Sequence, residues 1–352
     1  METVSKLILR ERKIKVLFFA ALNFLLLGII FLVPYLLLSV ILSIVIYYIL
    51  QPVVDYLENK GLKRYLASGI PFLGSTIIIA ISTNHFLPIL ISQIDDLSKL
   101  SPSYLITFKE FGISLEKKLN PFLQYAGNEN LIDKLQSFIL VKVSEFMNKL
   151  PEFFSGALTI FFLTPFFAFF LLLDGKLVYR NFLRLVPNHI FETMIRVNHE
   201  INIQMGQFIR ARLIESVLVG LMIMAGLNLI NFPYSLLLSI FAALLNLIPY
   251  IGPFIGALPA IILTFVSPEF SIQLNTVLLI YLVTQLFDTV FLVPFLVAKI
   301  VNLHPVIVVL SVLIGAQLLG IMGMIISIPI MSILKIISEA IYKHLTGFNS
   351  SR

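Results

Sequence analysis

The sequence predicts an all-α polytopic membrane protein with about five to six full transmembrane helices, and three observations lead to that class. The chain of 352 residues is 59% hydrophobic and 12% charged, whereas soluble proteins average roughly 45–50% and 25%. Residues 155–173, 216–268 and 271–287 contain no Asp, Glu, Lys or Arg, and stretches of this length are typical of membrane spans. The charged residues mark the ends of these stretches. A soluble enzyme is therefore excluded.

The net charge of +6 does not indicate a nucleic-acid partner. Nucleic-acid binding needs Lys and Arg clustered on a solvated face, but here they flank apolar spans, which is the pattern that sets membrane orientation. The chain has no cysteine, so it offers neither disulfides nor thiolate ligands. We expect a lipid bilayer as its surroundings, and no cofactor, metal or nucleic acid.

Residues 1–92 form the first predicted segment, with three spans. The apolar stretches 16–33 and 35–50 are separated by Pro34-Tyr35, and 66–92 follows the basic group Lys60, Lys63 and Arg64. Prolines 71 and 88 and the polar pair 84–85 interrupt the third span. The first run is too long for the apolar region of a signal peptide, which covers about 7–15 residues, so we expect a retained anchor.

Residues 93–150 are predicted to be an extramembrane helical insert. The insert carries seven Lys and seven acidic residues, so its charge cancels. Apolar residues recur at helical spacing on either side of Asn120-Pro121 and residues 126–130, which predicts two amphipathic helices. Their apolar faces could pack on each other, on the membrane surface or on a neighbouring subunit.

Residues 151–173 supply a fourth span, with a kink expected at Pro165. Residues 174–212 contain five Arg and are predicted to be a cytoplasmic amphipathic segment that leads into a fifth span at 213–230. The basic loops place the N-terminus, the loop around Lys60 and residues 174–212 inside, and the insert outside. Counting the membrane crossings from there then places the C-terminus inside.

Residues 213–345 are predicted to be a transport core. Residues 234–248 and 251–266 reach only about 22–24 Å each, short of the roughly 30 Å hydrocarbon core. A re-entrant hairpin therefore fits better than two crossings. After a full span at 276–297, residues 306–319 and 322–334 form a second short pair with a further break at Pro329. The residues expected to shape the two hairpin backbones are Pro249, Gly252, Pro253, Gly256, Gly320 and Gly323.

A full span followed by a short broken pair thus occurs twice, in residues 213–266 and 276–334, entering from opposite faces. This arrangement is typical of the inverted repeats whose discontinuous helices build the midplane sites of secondary transporters. The alternative is that Gly and Pro are simply frequent in membrane helices.

Several motifs together resemble the autoinducer-2 exporter family of bacterial permeases over essentially the whole chain. They are Gly206-Gln207-Phe208-Ile209-Arg210, the run from Ile248-Pro249-Tyr250-Ile251-Gly252-Pro253 to Pro259, Val293-Pro294, Leu303-His304-Pro305, and the run from Gly320-Ile321-Met322-Gly323 to Pro329. The resemblance implies a multi-pass inner-membrane protein that forms a homo-oligomer. Some members are linked to autoinducer-2 export and others to sodium or lithium exchange for protons, so the family does not fix the substrate.

Asp288 is the first candidate for ion coupling because it lies within the span 276–297. A charged carboxylate there costs on the order of 2.5–3.5 kcal/mol by insertion scales. Tyr281 and Gln285 precede it at helical spacing, so we expect a polar stripe that faces the bundle interior. A proton or a competing sodium ion could bind there. The alternative is a structural hydrogen bond to a neighbouring helix.

Three more residues are candidates, each with a structural alternative. Arg212 and Glu215, three residues apart at the start of the fifth span, could be a proton-linked pair or an ion pair that anchors the helix. His304 could shuttle protons or cap the helix that begins at Pro305. Asn246 and Gln317 lie in the hairpins and could supply polar contacts.

The leading hypothesis is a secondary transporter of a small molecule or ion, whose transport is coupled to a proton or a sodium gradient. A sodium (lithium)/proton antiporter, a passive channel and a non-transporting membrane scaffold are the alternatives. The sequence does not match the enzyme motifs that we compared with it. A metalloprotease helix needs a second His three residues after His199-Glu200, but that position is Ile203. We also find no nucleophile elbow and no phosphate-binding loop.

Overall fold

The computed structural model describes residues 28, 35–125, 156, 159–184, 186, 188–249, 251–266, 273–297, 300 and 303–346, with the backbone alone for 97–125, 188–189, 265–266 and 344–346. All regular structure in these residues is helical, which confirms the all-α class. The elements are α1 (Leu36–Asn59), α2 (Arg64–Tyr125), α3 (Thr159–Leu183), α4 (Asn188–Leu229), α5 (Ser235–Asn246), α6 (Gly252–Val266), α7 (Leu274–Phe287), the π-helical segment π1 (Asp288–Val297) and α8 (Pro305–Thr346).

Five described helices are long and apolar enough to cross a membrane: Leu36–Asn59, Arg64–Asp96, Thr159–Leu183, Leu274–Val297 and Pro305–Lys343. Ser235–Asn246 and Gly252–Thr264 are shorter apolar helices. The polytopic membrane class is thereby confirmed. The predicted span 16–33 lies outside the described residues. The predicted span 213–230 is the C-terminal part of α4, which is not among the five, so its crossing stays a prediction.

The chain forms two compact units. The first comprises residues 1–69 and 148–175, and an arginine holds its described helices together. Arg64 donates from Nη1 to Glu58 Oε2 at 2.7 Å and from Nη2 to the carbonyl oxygen of Leu172 at 2.5 Å. Ser68 Oγ donates to the same carbonyl at 3.2 Å. Arg64 and Ser68 therefore tie the start of α2 to α3.

Helix α2 is longer than the sequence predicts. A change from membrane span to insert was expected at residue 93 and a helix break at Asn120-Pro121, but the helix runs without interruption from Arg64 to Tyr125. The predicted break is wrong because a proline removes one N–H donor, and the backbone bonds on either side of it maintain the helix. The second predicted helix of the insert lies outside the described residues.

The second unit comprises residues 70–147 and 176–352, and α4 is its central element, in contact with α5, α7, π1 and α8. Small residues let α4 and α5 approach closely. Ser216 Oγ donates to the carbonyl oxygen of Ala243, and a Cβ on Gly220 would lie 2.8 Å from the Cβ of Ala243. Such close crossings are typical of membrane helices, where packing rather than water exclusion drives association.

The first short helix pair, α5 and α6, is a hairpin. Gly252 faces the carbonyl of Leu245, and a Cβ on Gly256 would lie 3.1 Å from the Cα of Ala242. The two arms are therefore in backbone contact where these glycines lie. We call α5, α6 and the residues between them the first hairpin.

Helix α8 folds back on itself at Gly320, whose φ of 61° and ψ of −140° are not helical. Only glycine adopts this conformation without strain. On either side of the fold-back, the backbones of Gly315 and Gly323 touch. We call α8 the second hairpin. The predicted further break at Pro329 is wrong, since the second arm stays helical through it; losing one N–H donor again does not end a helix that packs on both sides of the proline.

One apolar cluster contains residues of both hairpins. The cluster contains Ile248 and Ile251, beside the break of the first hairpin, and Phe208 of α4. It also contains five residues of the second hairpin: Val308, Val312, Met324, Ile325 and Ile328. A second cluster joins α4 to α5, α6, α7 and π1 around the fully buried Leu227 and Val277. The hairpins are therefore packed around α4 rather than separated from each other.

Candidate transport site

Three ionisable side chains meet in the second unit: Arg212 and Glu215 of α4, and Asp288, where π1 begins. Arg212 Nη1 donates to Glu215 Oε1 at 2.6 Å. The carboxyl groups of Glu215 and Asp288 lie close to each other, and both lie near the guanidinium. Arg212 is 9% exposed, Glu215 0% and Asp288 4%. We call these three residues the charge cluster.

Local helix geometry explains how the cluster assembles. Residues three apart lie on one face of an α-helix, which pairs Arg212 with Glu215. Asp288 is the C-terminal cap of α7 and the first residue of π1, and π-helical turns are frequent at functional sites. The packing of α4 against both α7 and π1 brings Asp288 to the pair. Sequence reasoning singled out all three residues, and the structure brings them together.

Arg212 also reaches the first hairpin. Its Nη2 donates to the carbonyl oxygen of Asn246 at 2.6 Å and its Nε to that of Leu247 at 3.5 Å. These carbonyls lie at the C-terminal end of α5, where a helix leaves acceptors unpaired and carries a partial negative charge. Sequence reasoning missed this contact, because a backbone carbonyl leaves no trace in the residue pattern.

Four buried polar atoms of α4, α5, α7 and π1 receive no hydrogen-bond partner from the part of the chain that the structure describes. They are Glu215 Oε2, Asp288 Oδ1, Asn246 Nδ2 and Tyr281 Oη. A hydrogen bond between the two carboxyl groups needs a proton on one of them, since two carboxylates offer only acceptors. The cluster therefore has the chemical capacity to hold a proton between Glu215 and Asp288.

The elements around the cluster add no further charge. Helices α5, α6 and α7 and residues 305–334 of α8 contain no Asp, Glu, Lys or Arg. No described group of three or more His, Asp or Glu side chains is placed to hold a metal ion. The cluster thus pairs one guanidinium with two carboxyl groups in apolar surroundings.

The other predicted site residues lie elsewhere. Gln285 is half-buried and donates to Thr289 Oγ1 at 3.2 Å on an exposed side of the helix, so the predicted polar stripe does not face the interior as a whole. The buried polar pair is instead Thr284 and Asp288, each 4% exposed. Tyr281 packs against the apolar cluster around Leu227.

His304 is exposed, and its Nδ1 accepts a hydrogen bond from the backbone N–H of Val306 at 3.3 Å. It therefore caps the start of α8, and the structure does not bring it to the charge cluster. Gln317 is exposed as well.

The hairpin residues differ in their surroundings. Gly252, Gly256 and Gly323 are buried at close backbone contacts, whereas a Cβ on Gly320 would meet nothing within 4 Å. Pro249 and Pro253 are half-buried beside the first break. Pro249 has no N–H, and the N–H of Ile251 bonds back to its carbonyl oxygen at 2.7 Å.

The fold and the charge cluster define a polytopic helical membrane protein with ionisable groups buried among its spans, a class that includes carriers of ions and small solutes. The model of the AI-2E family transporter matches residues 19–343. The chain belongs to that family, which is a family of transporters and permeases rather than of enzymes.

Individual relatives agree with this membership. The chain is 29% identical to "Putative transport protein YrrI" of Bacillus subtilis strain 168, with 84% of each chain covered. It is 28% identical to "Putative permease PerM" of Escherichia coli K12, with 89% of each covered. It is 26% identical to "AI-2 transport protein TqsA" of the same strain, over 85% of this chain and 84% of the relative.

Proposed function

We propose that the chain is a secondary transporter of the cell (inner) membrane, whose flux is coupled to the binding of one proton or one sodium ion at the charge cluster. The observation that carries this proposal is the composition of the cluster, one guanidinium and two carboxyl groups, all buried. The family membership supports transport, and the cluster supports coupling.

The coupling argument rests on charge balance. An arginine keeps its proton in a protein, so it neutralises one of the two carboxylates. The second would remain as an uncompensated charge among apolar helices, which costs several kcal/mol. Binding one proton or one monovalent cation removes that cost. A group that is charged in one state of the cycle and neutral in the other is what ion coupling requires.

The two hairpins support the location of the solute site. If the hairpins are re-entrant, as the sequence predicts, their breaks expose backbone groups within the membrane, where only a protein-lined cavity or a buried contact tolerates them. Ile248 and Ile251 of the first break belong to one apolar cluster with Met324 and Ile325 of the second hairpin, and the first break also carries the carbonyls that Arg212 binds. We place the solute path between the hairpins and the charge cluster, with the N- and C-termini cytoplasmic and the protein assembled as a homo-oligomer.

The substrate is proposed only by class, a small polar solute or an ion. The name of TqsA connects that relative with autoinducer-2 transport, and we extend export of such a signal to this chain as a hypothesis. A second candidate is sodium (lithium)/proton antiport, which the cluster favours because a carboxyl pair lacking one positive charge can accept either ion in competition.

Flux in proteoliposomes tests the proposal. Purified protein is reconstituted with a pH-sensitive dye inside, and a sodium, lithium or solute gradient is imposed. Wild-type protein should move protons or solute against a gradient, and Asp288→Asn should abolish the ion-dependent part. Glu339→Gln, at an exposed position near the C-terminus, is the matched control and should retain it. Ion-dependent flux that survives Asp288→Asn would remove Asp288 from the mechanism.

The same assay separates the alternatives. A passive channel dissipates gradients but never moves solute uphill. A scaffold shows no flux in liposomes, and it should lose its cellular phenotype when residues 93–150 are deleted.

A further inference from the structure

The guanidinium of Arg212 joins two parts of the second unit, the charge cluster and the end of α5. One nitrogen, Nη1, is bonded to Glu215 in the charge cluster. The other two, Nη2 and Nε, are bonded to the carbonyl oxygens of Asn246 and Leu247. A single rigid, planar group therefore holds Glu215 of the charge cluster and the end of α5 at once.

The backbone at the break makes this hold necessary. In a continuing helix the carbonyl of Leu247 would accept the N–H of Ile251, but that N–H bonds to Pro249 instead, at 2.7 Å. The N–H of Ile248 in turn bonds three residues back, to Leu245, at 2.8 Å. Leu247 thus lacks its helical donor, and Arg212 supplies the replacement.

We propose that Arg212 is a charge-controlled latch on the first hairpin. It holds the break after α5, at residues 247–249 and 251, in place while the carboxyl pair carries no added cation, and it loosens when a proton or sodium ion binds there. This inference rests on the proposed function, because it takes the charge cluster as the coupling site. It adds the path by which occupancy of that site reaches the hairpin.

The physical reason is that arginine cannot discharge itself. A positive charge added to the ionised carboxyl pair lowers its charge from −2 to −1, which weakens the attraction that holds the guanidinium in low-dielectric surroundings. A lysine or histidine could respond by releasing its proton, whereas arginine can respond only by moving. Its bonds to the end of α5 then weaken together with its bond to Glu215.

The groups that set this response are few. Among the described residues they are the carboxyl groups of Glu215 in α4 and Asp288 in π1, which lie beside the guanidinium. Helices α5 and α6 and residues 305–334 of α8 contribute no Asp, Glu, His, Lys or Arg. Dependence on pH or sodium at the break should therefore disappear when Glu215 and Asp288 are both made neutral.

The absence of cysteine from the chain allows a direct test by thiol labelling. Leu247→Cys places a reporter at the break and leaves the backbone carbonyl in place. Leu318→Cys, at a position that is 74% exposed in the second hairpin, is the control. Each variant is reconstituted, and its reaction rate with N-ethylmaleimide is measured at constant pH in sodium chloride and in choline chloride, and then at low and high pH.

The latch predicts that sodium, low pH or both raise the rate of the cysteine at 247, relative to the control cysteine, by about tenfold, the factor expected for losing one charge-assisted hydrogen bond. With Arg212→Lys the rate should be high under all conditions, because an ammonium cannot form the three bonds together. The pair Glu215→Gln and Asp288→Asn should also give a high, ion-independent rate. This neutral pair keeps the test decisive should Arg212→Lys fail to fold.

The latch would be overturned if neither sodium nor pH changed the relative labelling rate of the cysteine at 247 in protein that retains Arg212. It would also be overturned if the rate still responded to ions in the variant with Glu215→Gln and Asp288→Asn. Flux measured on the same liposomes separates this failure from failure of the proposed function. Ion-coupled flux with a constant labelling rate rejects the latch alone. An ion response at the break without coupled flux rejects the transport proposal and leaves the latch standing.

Discussion

Replacing Arg212 by Gln should strongly destabilise the protein, because it leaves two buried carboxyl groups without a cation. Glu215 would lose a partner at 2.6 Å, and the carbonyl of Asn246 would lose a donor at the same distance. Removing one partner of a buried ion pair typically costs about 3–5 kcal/mol. We expect Arg212→Gln to fall in that range, and Glu215→Gln to cost less, about 1–3 kcal/mol, since Arg212 still faces Asp288.

The assay is equilibrium unfolding in mixed micelles of the wild type, both single variants and the double variant. The double variant should recover about 2 kcal/mol relative to the sum of the singles, because it removes one positive and one negative charge together. It should not recover fully, since the carbonyls of Asn246 and Leu247 remain without their donor. Additive losses would show that the two charges do not depend on each other and would refute the reasoning.

The remaining predictions concern backbone, packing and ion binding. Gly320→Ala should cost about 1–3 kcal/mol because its φ of 61° strains any residue with a Cβ, whereas Gly74→Ala in open space on α2 should be neutral or stabilising; unfolding of both variants measures the difference. Gly252→Ala should separate the arms of the first hairpin and reduce both stability and flux, because a Cβ there meets the carbonyl of Leu245, and wild-type flux in this variant would contradict the close contact. Asp288→Asn should preserve folding, as judged by gel filtration and unfolding, because Arg212 keeps its hydrogen-bonded carboxylate partner Glu215 in this variant.

Much of the fold could be read from the sequence because membranes impose strong rules on it. The charge-free stretches predicted helical spans, and the Pro and Gly residues near 249–256 and 320–323 predicted two broken pairs. The structure confirms the class and contains both hairpins. Breaks are visible in sequence where several backbone constraints coincide, as between Asn246 and Gly252.

Single prolines gave the wrong answer. Pro121 and Pro329 were expected to interrupt helices, yet α2 and α8 continue through them. One missing N–H bends or weakens a helix, and packing or length decides whether it ends. The sequence does not contain that information.

The three residues of the charge cluster were among the candidates that the sequence offered, but their assembly could not be predicted. Asp288 stood out because a carboxylate inside an apolar span demands an explanation, and Arg212 with Glu215 stood out by their spacing. That α4 brings the three together depends on helix packing and on the change to π-helical backbone at Asp288, neither of which follows from spacing. The carbonyls of Asn246 and Leu247 could not be foreseen, because every residue has one.

The central claim is that the carboxyl pair of Glu215 and Asp288 exchanges one proton or sodium ion. Infrared difference spectroscopy of the purified protein, with sodium added at constant pH and then with pH varied, measures this directly through the carbonyl band of a protonated carboxylic acid. The account predicts that the wild type and Glu339→Gln lose that band on adding sodium or raising the pH, and that Asp288→Asn shows no such change. An identical band change in Asp288→Asn, or none in the wild type under either condition, would contradict it.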